Sequence, residues 1–240
     1  DIHGNADALD AVLEAASAEP FDEVLLLGDL VGYGAGPNEV IRTVNEFEKP
    51  IHFIRGNHDK VVAKVEDGSG FNRVALAAAE WTAEVLTPEH MDFIRELPTG
   101  PLEVAPGLSI CHGSPVDEDE YLLSTDQAQR AFEAHPVPVT FFGHTHIPTL
   151  FSTRGGSADL KILEDDGESL ELTAERRYLI NPGSVGQPRD RDPRAAFMVY
   201  DADTSRVRLH RIDYPLADAQ QRILDAGLPP VLAQRLAVGI

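Results

Sequence analysis

The chain has 240 residues, 42% of them hydrophobic, and its 40 acidic against 20 basic side chains give a formal net charge of −20. This length and composition predict a single folded domain over residues 1–240 and exclude a disordered chain. So acidic a surface argues against stable nucleic-acid binding and against attraction to anionic membranes, and no apolar run is long enough to span a bilayer.

The charged and sulfur-containing residues also bear on the compartment. Only four of the basic residues are lysines, which favours a surface adapted to high salt over an ordinary acidic surface. The single cysteine, Cys111, excludes an internal disulfide and indicates a reducing environment. We therefore expect a cytoplasmic, halophilic protein.

The first half of the chain alternates predicted helices and strands. Apolar residues at helical spacing predict one helix within ADALDAVLEAASAEP and another within NEVIRTVNEF. Short apolar runs that end in polar residues predict buried strands in FDEVLLLGD and PIHFIRGNHD. Residues 72–97 are predicted to form two helices, the second capped by Thr87 and begun by Pro88.

The second half is richer in predicted strands. Two of them flank the Pro-Gly turn of PLEVAPGLSICHG, a helix follows around 125–135, and another strand lies in VPVTFFGHTHIP. LKILEDDGESLEL is predicted to form a hairpin around Asp166-Gly167. Further strands are predicted in RYLINPGS, AAFMVYD and RVRLHRIDY, before two short helices over 216–238. This order predicts an α+β fold of four layers, α/β/β/α, with two packed mixed sheets flanked by helices.

Four of the predicted strands end in side chains that bind metals or protons. Because the carboxyl ends of strands converge at one edge of a sheet, we expect a site there. Each residue alone has an ordinary explanation, as a turn aspartate, a helix cap or a core histidine. Their combination favours a functional site, since charged and imidazole groups clustered on one edge are costly unless they serve one. They are Asp29 after VLLLG, Asn57-His58-Asp59 after FIRG, His112 after LSIC, and His144 and His146 after TFFG.

The order of these motifs resembles that of the calcineurin-like metallophosphoesterases, D-x-H, GD, GNH[DE], H and GHxH. The chain carries DIH, GD, GNHD, CHG and GHTH between residues 1 and 146. GDLVGYGAGPNEVI, HGSP and NPGSVGQPRD resemble the small prokaryotic phosphodiesterase branch of that superfamily. The resemblance implies two divalent ions, Mn²⁺ in the first place, with Fe, Zn²⁺ and Ni²⁺ as alternatives. One ion would be held by Asp1, His3, Asp29 and His146, and the other by Asp29, Asn57, His112 and His144.

The resemblance also implies an activity. We expect hydrolysis of phosphodiester bonds in a small phosphoester by a hydroxide that bridges the metals, with His58 as the proton donor to the leaving group. Asp59 would either orient the imidazole of His58 or cap the following helix. A phosphomonoesterase, a dinucleoside polyphosphate hydrolase and a metal-binding scaffold for a partner protein are the alternatives. The protein phosphatases of the superfamily read GDYVDRG where this chain reads GDLVGYG, and Gly32 and Tyr33 therefore count against that class.

The stretch NPGSVGQPRDRDPR offers candidate substrate-binding residues. Asn181, Ser184 and Arg189 are the predicted substrate-binding residues: Arg189 would hold the phosphate, because guanidinium groups match that shape, and Asn181 and Ser184 would help to position the loop. The alternative is a surface loop whose arginines balance neighbouring aspartates. Arg55, in a strand before a buried turn, is expected to pair internally.

The opening stretch, DIHGN, begins on a predicted ligand. A ligand of this kind belongs at the end of a strand, and we expect a few residues of that strand to precede Asp1. The remaining four histidines lie in ordinary helix or strand contexts and are assigned no function: His52, His90, His135 and His210. The sequence makes no prediction of the oligomeric state.

Overall fold

The strands divide into three sheets of two, three and six strands in a computed structural model that describes residues 1–240. The two-stranded sheet pairs β1 with β2 in parallel, and the three-stranded sheet has the antiparallel order β10-β11-β8. The six-stranded sheet has the order β3-β4-β5-β9-β6-β7, and its strands β4, β5 and β9 are parallel. The strands are β1 Val24–Leu26, β2 Ile51–Phe53, β3 Leu102–Ala105, β4 Leu108–Cys111, β5 Val139–Phe142, β6 Thr149–Thr153, β7 Asp159–Ile162, β8 Ser169–Glu171, β9 Arg177–Asn181, β10 Ala195–Asp201 and β11 Arg206–Ile212.

Eight helices connect or cover these sheets. Several begin as the sequence predicts, for example with Thr87 accepting a hydrogen bond from the His90 backbone N–H and Pro88 in the first turn. None of them has both the length and the apolar character needed to cross a bilayer. They are α1 Ala6–Ala16, α2 Pro37–Asn45, α3 Asn57–Val62, α4 Arg73–Val85, α5 Pro88–Arg95, α6 Thr125–Ala134, α7 Leu216–Asp225 and α8 Pro230–Leu236.

The α+β class that the sequence predicts is confirmed. Alternate residues of the strands face opposite sides, so Phe141 points into a core shared with β10 and β11 while Phe142 packs under α6. On the far side, Ala8 and Val12 of α1 pack against Ala195 of β10. Helices therefore cover the outer face of each large sheet, and the two inner faces meet in one core.

Hydrogen bonding divides the strands more finely than the two sheets expected from the sequence. β1 and β2 have three residues each and bond only to one another. Leu27 and Ile54, just beyond their ends, are buried in the same core as Phe141. The small parallel pair is thus attached to the larger sheets by packing.

The prediction of a hairpin around Asp166-Gly167 is wrong. β7 pairs with β6 in the six-stranded sheet, whereas β8 pairs with β11 in the three-stranded sheet. The connection bonds to β11 instead of closing on itself: the Gly167 N–H donates to the Leu209 carbonyl, and the Arg211 N–H donates to the Asp166 carboxylate. The Asp166-Gly167 turn therefore connects a strand of one sheet to a strand of another. The partner of β7 is β6, a strand that was not predicted from the sequence.

A buried lysine fastens the loop after β4 to α3. The Lys60 side chain is 1% exposed, and its ammonium lies 2.6 Å from Asp119, 2.8 Å from Glu66 and 3.2 Å from Glu118. Glu118 also accepts two hydrogen bonds from Arg55, which pairs internally as expected. A charge taken out of water is tolerated only when it is paired in this way. The cluster matters for the site because α3 carries three of the predicted site residues, Asn57, His58 and Asp59, in its first turn.

Replacing this lysine tests how much the cluster contributes. Lys60→Met keeps the apolar stem but removes the ammonium that Asp119, Glu66 and Glu118 share, so we expect a loss of about 3 kcal/mol in the free energy of unfolding. The matched control is Lys161→Met, whose ammonium forms one exposed ion pair with Glu168, and we expect it to change that free energy by less than about 1 kcal/mol. Urea denaturation measures both values. Equal losses in the two variants would contradict the role given to the cluster.

Candidate metal centre

The structure brings the seven predicted metal ligands together at one edge of the sheets. Four of them follow the carboxyl ends of the parallel strands β1, β2, β4 and β5, as the sequence predicts. The N-terminal residues join them because the backbone N–H groups of Ile2 and His3 donate to the Asp29 carbonyl, at 2.8 and 2.9 Å. The seven are Asp1, His3, Asp29, Asn57, His112, His144 and His146.

Four of these side chains form the first cluster. Asp1, His3, Asp29 and His146 each offer one ligand atom, and these atoms lie within 4.8 Å of one another. His3 Nε2 lies 3.0 Å from His146 Nε2 and 3.5 Å from the Asp29 carboxylate. All four side chains are buried.

The second cluster shares Asp29 with the first. Its members Asp29, His112 and His144 again have ligand atoms within 4.8 Å of one another. His112 Nε2 lies 3.5 Å from the Asp29 carboxylate and 3.1 Å from Asn57 Oδ1. The side-chain oxygen of Asn57 therefore lies beside the second cluster, and Asp29 belongs to both.

The protonation of the imidazoles fits a metal ion in each cluster. His112 Nδ1 donates to the Leu27 carbonyl at 2.8 Å and His146 Nδ1 donates to the Gln187 carbonyl at 2.6 Å, since a carbonyl can only accept. Burial lowers the pKa of His112 to about 3 and that of His146 well below its usual value, so both rings are neutral. Each Nε2 then presents a lone pair towards the other ligand atoms, including the Asp29 carboxylate. Such an arrangement suits a cation and is repulsive without one.

Four of the ligands have left-handed backbone conformations. Non-glycine residues rarely adopt positive φ, and each instance costs on the order of 1–3 kcal/mol. Such strain is concentrated at functional sites, and nothing in the sequence pattern predicts it here. The four are His3 (φ 53°), Asp29 (φ 52°), His144 (φ 67°) and His146 (φ 60°).

The shared carboxylate of Asp29 is buried against the backbone of α3. Its side chain accepts a hydrogen bond from the His58 N–H at 2.8 Å, and burial raises the pKa of Asp29 to about 7. Gly56 approaches so closely that a Cβ there would lie 2.1 Å from Asp29 Oδ1. This position therefore requires glycine, which explains the residue before Asn57 in GNHD.

His58 lies beside the first cluster in an aromatic pocket. Its ring centre is 4.9 Å from that of His3, 4.4 Å from that of Tyr33 and 4.6 Å from that of Phe71. Nδ1 is buried without a partner, and burial, followed by the charge of Arg189, lowers the pKa of His58 well below its usual value. A Cβ at Gly32 would lie 2.6 Å from that nitrogen, so the ring occupies space that only glycine leaves free.

Asp59 does not orient the imidazole of His58. Its carboxylate accepts hydrogen bonds from three backbone N–H groups, those of Leu30, Val31 and Gly56, at 3.0, 3.3 and 2.9 Å. The first of the two expectations for this residue is therefore corrected: the carboxylate closes the first turn of α3 and holds the loop after β1.

Two of the three candidate substrate residues are structural. Asn181 and Ser184 are fully buried: the Asn181 amide donates to the Gly143 carbonyl, and the Ser184 hydroxyl donates to the Asp1 carbonyl. Their polar groups hold the ligand loops, in agreement with the expected positioning role, whereas their assignment as substrate-binding residues is corrected. Arg189 differs, because its charge acts on His3, His58 and Asp29.

The remaining sequence assignments agree with the positions in the structure. Cys111 is buried in β4 under α6, and the four histidines without assigned function bond or stack elsewhere, His135 for example with Ser109. Tyr121, whose ring centre lies 3.8 Å from that of His144, belongs to no motif in the sequence. The carbonyls of Leu27 and Gln187 could not be predicted either, since a backbone acceptor does not depend on residue identity.

Comparison with known proteins places the chain in a family. The family model described as the calcineurin-like phosphoesterase superfamily domain matches residues 1–205. An uncharacterised protein of Methanocaldococcus jannaschii is 33% identical over 243 residues, covering 100% of this chain and 96% of that protein. The symmetrical bis(5′-nucleosyl)-tetraphosphatase of Baumannia cicadellinicola is 36% identical over 75 residues, covering 31% of this chain and 26% of that protein.

Solved structures show the same fold. The crystal structure of a metallophosphoesterase from Sphaerobacter thermophilus superposes with a TM-score of 0.83 at 37% identity, covering 100% of this chain and 96% of that one. A hypothetical protein from Pyrococcus horikoshii OT3 superposes with a TM-score of 0.82 at 23% identity and the same coverage, which bears on the fold alone.

The two clusters predict a measurable metal content. We expect two divalent ions per chain after loading with Mn²⁺, and one ion in His112→Ala, because His112 belongs to the second cluster alone. His135→Ala is the matched control and should keep both ions, since its ring bonds to Ser109 outside the site. Elemental analysis of the purified proteins gives the counts. Two ions in His112→Ala would contradict the assignment of that residue.

Proposed function

The chain belongs to the calcineurin-like phosphoesterase superfamily, and we propose that it hydrolyses phosphodiester bonds in small phosphoesters with two bound divalent ions. Membership of the family implies phosphoesterase activity. The observation that carries the finer proposal is the pair of buried His/Asp clusters that share Asp29. A carboxylate shared between two cations is the arrangement that two-metal hydrolases use on phosphoryl groups.

The donor atoms support Mn²⁺ as the proposed ion. Imidazole nitrogen combined with carboxylate and amide oxygen suits Mn²⁺, Fe, Zn²⁺ or Ni²⁺ better than Ca²⁺ or Mg²⁺. When bound, the two ions would polarise the phosphoryl oxygens and lower the pKa of water in the site. His112 and His146 are oriented for this task by their hydrogen bonds to the Leu27 and Gln187 carbonyls.

His58 is the proposed proton donor. In the reaction one P–O bond of the diester breaks, a P–O bond to the oxygen of water forms, and the departing alkoxide takes up a proton. The His58 ring borders the first cluster but supplies none of its ligand atoms. Its neutral state in the free protein follows from burial and from the charge of Arg189. A phosphoester anion beside the ring offsets that charge and favours the protonated ring.

Arg189 is proposed to bind the phosphate oxygens. Its Nη2 donates to Gln187 Oε1 at 3.3 Å, and its Nε is buried without a partner. The side chain makes no ion pair, so its charge is available to an anion. In a protein of net charge −20, such a local positive group is needed to hold a phosphate.

Dinucleoside polyphosphate hydrolysis is the second candidate. The 36% identity to bis(5′-nucleosyl)-tetraphosphatases favours it, although this similarity covers only 31% of the chain. A protein phosphatase activity is disfavoured because Gly32 has no room for the side chain found there in those enzymes.

A pair of chromogenic substrates tests the proposal. With Mn²⁺ bound, we expect faster release of nitrophenol from bis(p-nitrophenyl) phosphate than from p-nitrophenyl phosphate, measured as kcat/KM. Preference for the monoester would favour a phosphomonoesterase. Turnover of neither, by protein that holds two ions per chain, would overturn the enzymatic proposal and favour the metal-binding scaffold.

Replacing the proposed proton donor separates its role from metal binding. We expect His58→Ala to lower kcat by about 10²–10⁴-fold, the usual contribution of a positioned acid. The variant should still hold two ions per chain by elemental analysis, because no ligand is removed. His135→Ala serves as the control with unchanged turnover. A missing ion in His58→Ala would show that the residue is a ligand instead.

We also propose that the protein functions in a reducing cytoplasm at high salt. The lone buried Cys111 and the net charge of −20 support this setting. Repulsion among surface carboxylates weakens as salt shortens the Debye length from about 10 Å at 0.1 M to about 3 Å at 1 M.

The proposed setting predicts a rise of stability with salt. We expect the Tm of the metal-loaded protein to increase between 0.1 and 2 M KCl, measured by scanning calorimetry. Sucrose at matched osmolality controls for water activity. A Tm that falls with salt would show that the surface ion pairs outweigh the repulsion.

A further inference from the structure

Two arginines from distant parts of the chain meet at one tyrosine beside the metal centre. Arg189 lies in the loop after β9 and Arg235 in α8. The guanidinium carbon of Arg189 is 6.0 Å from the centre of the Tyr33 ring, and that of Arg235 is 5.9 Å from it. The Tyr33 ring is in turn 4.4 Å from that of His58 and 4.8 Å from that of His3. The two charges therefore border both the proposed proton donor and the first cluster.

Neither arginine forms an ion pair with an aspartate or glutamate side chain. The guanidinium group of Arg189 makes one hydrogen bond, of 3.3 Å, to the side chain of Gln187. Arg235 donates through Nε to the main-chain oxygen of Ile240 at 2.7 Å. By contrast, Arg194 forms an ion pair with Asp192, and Arg211 forms one with Asp190.

The two guanidinium groups repel one another. Burial, and next the charge of Arg189, lower the pKa of Arg235 from its usual value. Two partly buried like charges with no aspartate or glutamate partner raise the free energy of the folded protein. An anion that contacts both groups would offset that repulsion.

The C-terminal segment holds Arg235 in position. Leu232 and Leu236, on either side of it in α8, are buried in a core shared with α4 and α7. The Arg191 N–H donates to the Gly239 carbonyl at 2.8 Å, so the end of the chain bonds to the loop that carries Arg189. The placement of the two arginines is thus built into the fold and does not depend on long free side chains.

We propose that Arg189, Arg235 and Tyr33 form a second anion subsite, which selects phosphoesters that carry another phosphoryl group next to the scissile one. This inference rests on the proposed function. The guanidinium fork matches phosphate oxygens in shape and charge, and an adjacent phosphoryl group lies within one P–O–P linkage of the metal-bound position. Arg235 is accordingly a specificity-determining residue that lies outside every sequence motif of the site.

Two nitrophenyl esters of thymidine test the subsite with a common leaving group. One is the p-nitrophenyl ester of thymidine 5′-phosphate, and the other is the terminal p-nitrophenyl ester of thymidine 5′-diphosphate. Turnover is followed by ³¹P NMR, so that cleavage at either phosphorus is counted. We expect the Mn²⁺-loaded wild type to show a kcat/KM at least about tenfold higher for the diphosphate ester, which corresponds to about 1.4 kcal/mol.

Variants at Arg235 assign that preference to the subsite. Arg235→Ala should reduce the ratio of the two kcat/KM values to about one, because the charge that recognises the second phosphoryl group is lost. Arg235→Lys should give an intermediate ratio, and Arg235→Gln should behave as alanine does, which separates charge from packing. The control Arg222→Ala removes an arginine that pairs with Asp7 and should keep the wild-type ratio.

The outcomes distinguish this inference from the function on which it rests. Turnover of neither ester by wild type with two ions per chain overturns both. Turnover of both esters with a wild-type ratio near one overturns the subsite alone. So does an unchanged ratio in Arg235→Ala, provided that its Tm matches that of the wild type.

Discussion

The buried carboxylate of Asp29 is the constraint on which the site depends. It belongs to both clusters, and burial raises its pKa to about 7, which shows how costly the negative charge is without a cation nearby. Its hydrogen bond from the His58 N–H fixes the start of α3 relative to the loop after β1. One group therefore joins the two clusters and fixes the backbone of the proposed proton donor. Glycine at position 56 follows from the same carboxylate, because no Cβ fits beside it.

The rest of the fold keeps that carboxylate in place despite backbone strain in the turns around it. Positive φ at His3, Asp29, His144 and His146 stores strain in the turns that aim the ligands. The core between the large sheets and the Lys60 ion cluster oppose relaxation of those turns. Strain at the ends of rigid strands is a usual means of pre-organising a site, since the ligands then need little rearrangement to bind.

Sequence patterns predicted the parts of this arrangement that depend on local chain properties. Each of four apolar runs is followed by a candidate ligand: Asp29, Asn57, His112 and His144. Parallel strands end at the same edge of a sheet, so these side chains could be placed together from the sequence. The mixed α+β class followed from the order of elements. Strand pairing, by contrast, depends on contacts that are distant in the sequence. Asp166-Gly167 forms a turn, and it joins two sheets because β7 pairs with β6 while β8 pairs with β11. Likewise the polar groups of Asn181 and Ser184 are suited to phosphate, and only their burial shows that the backbone uses them.

Electrostatics connects the surface with the proposed chemistry. A net charge of −20 repels an anionic phosphoester at long range, and at low salt it opposes the encounter that the site requires. At high salt the Debye length falls to about 3 Å, which screens the exposed carboxylates far more than groups inside the protein. The partly buried charges of Arg189 and Arg235 then act on a ligand that has already reached the site. An acidic exterior and two local arginines without acidic side-chain partners are therefore compatible in one phosphoesterase, because salt screens the surface charge over long distances and leaves the short-range attraction in the site.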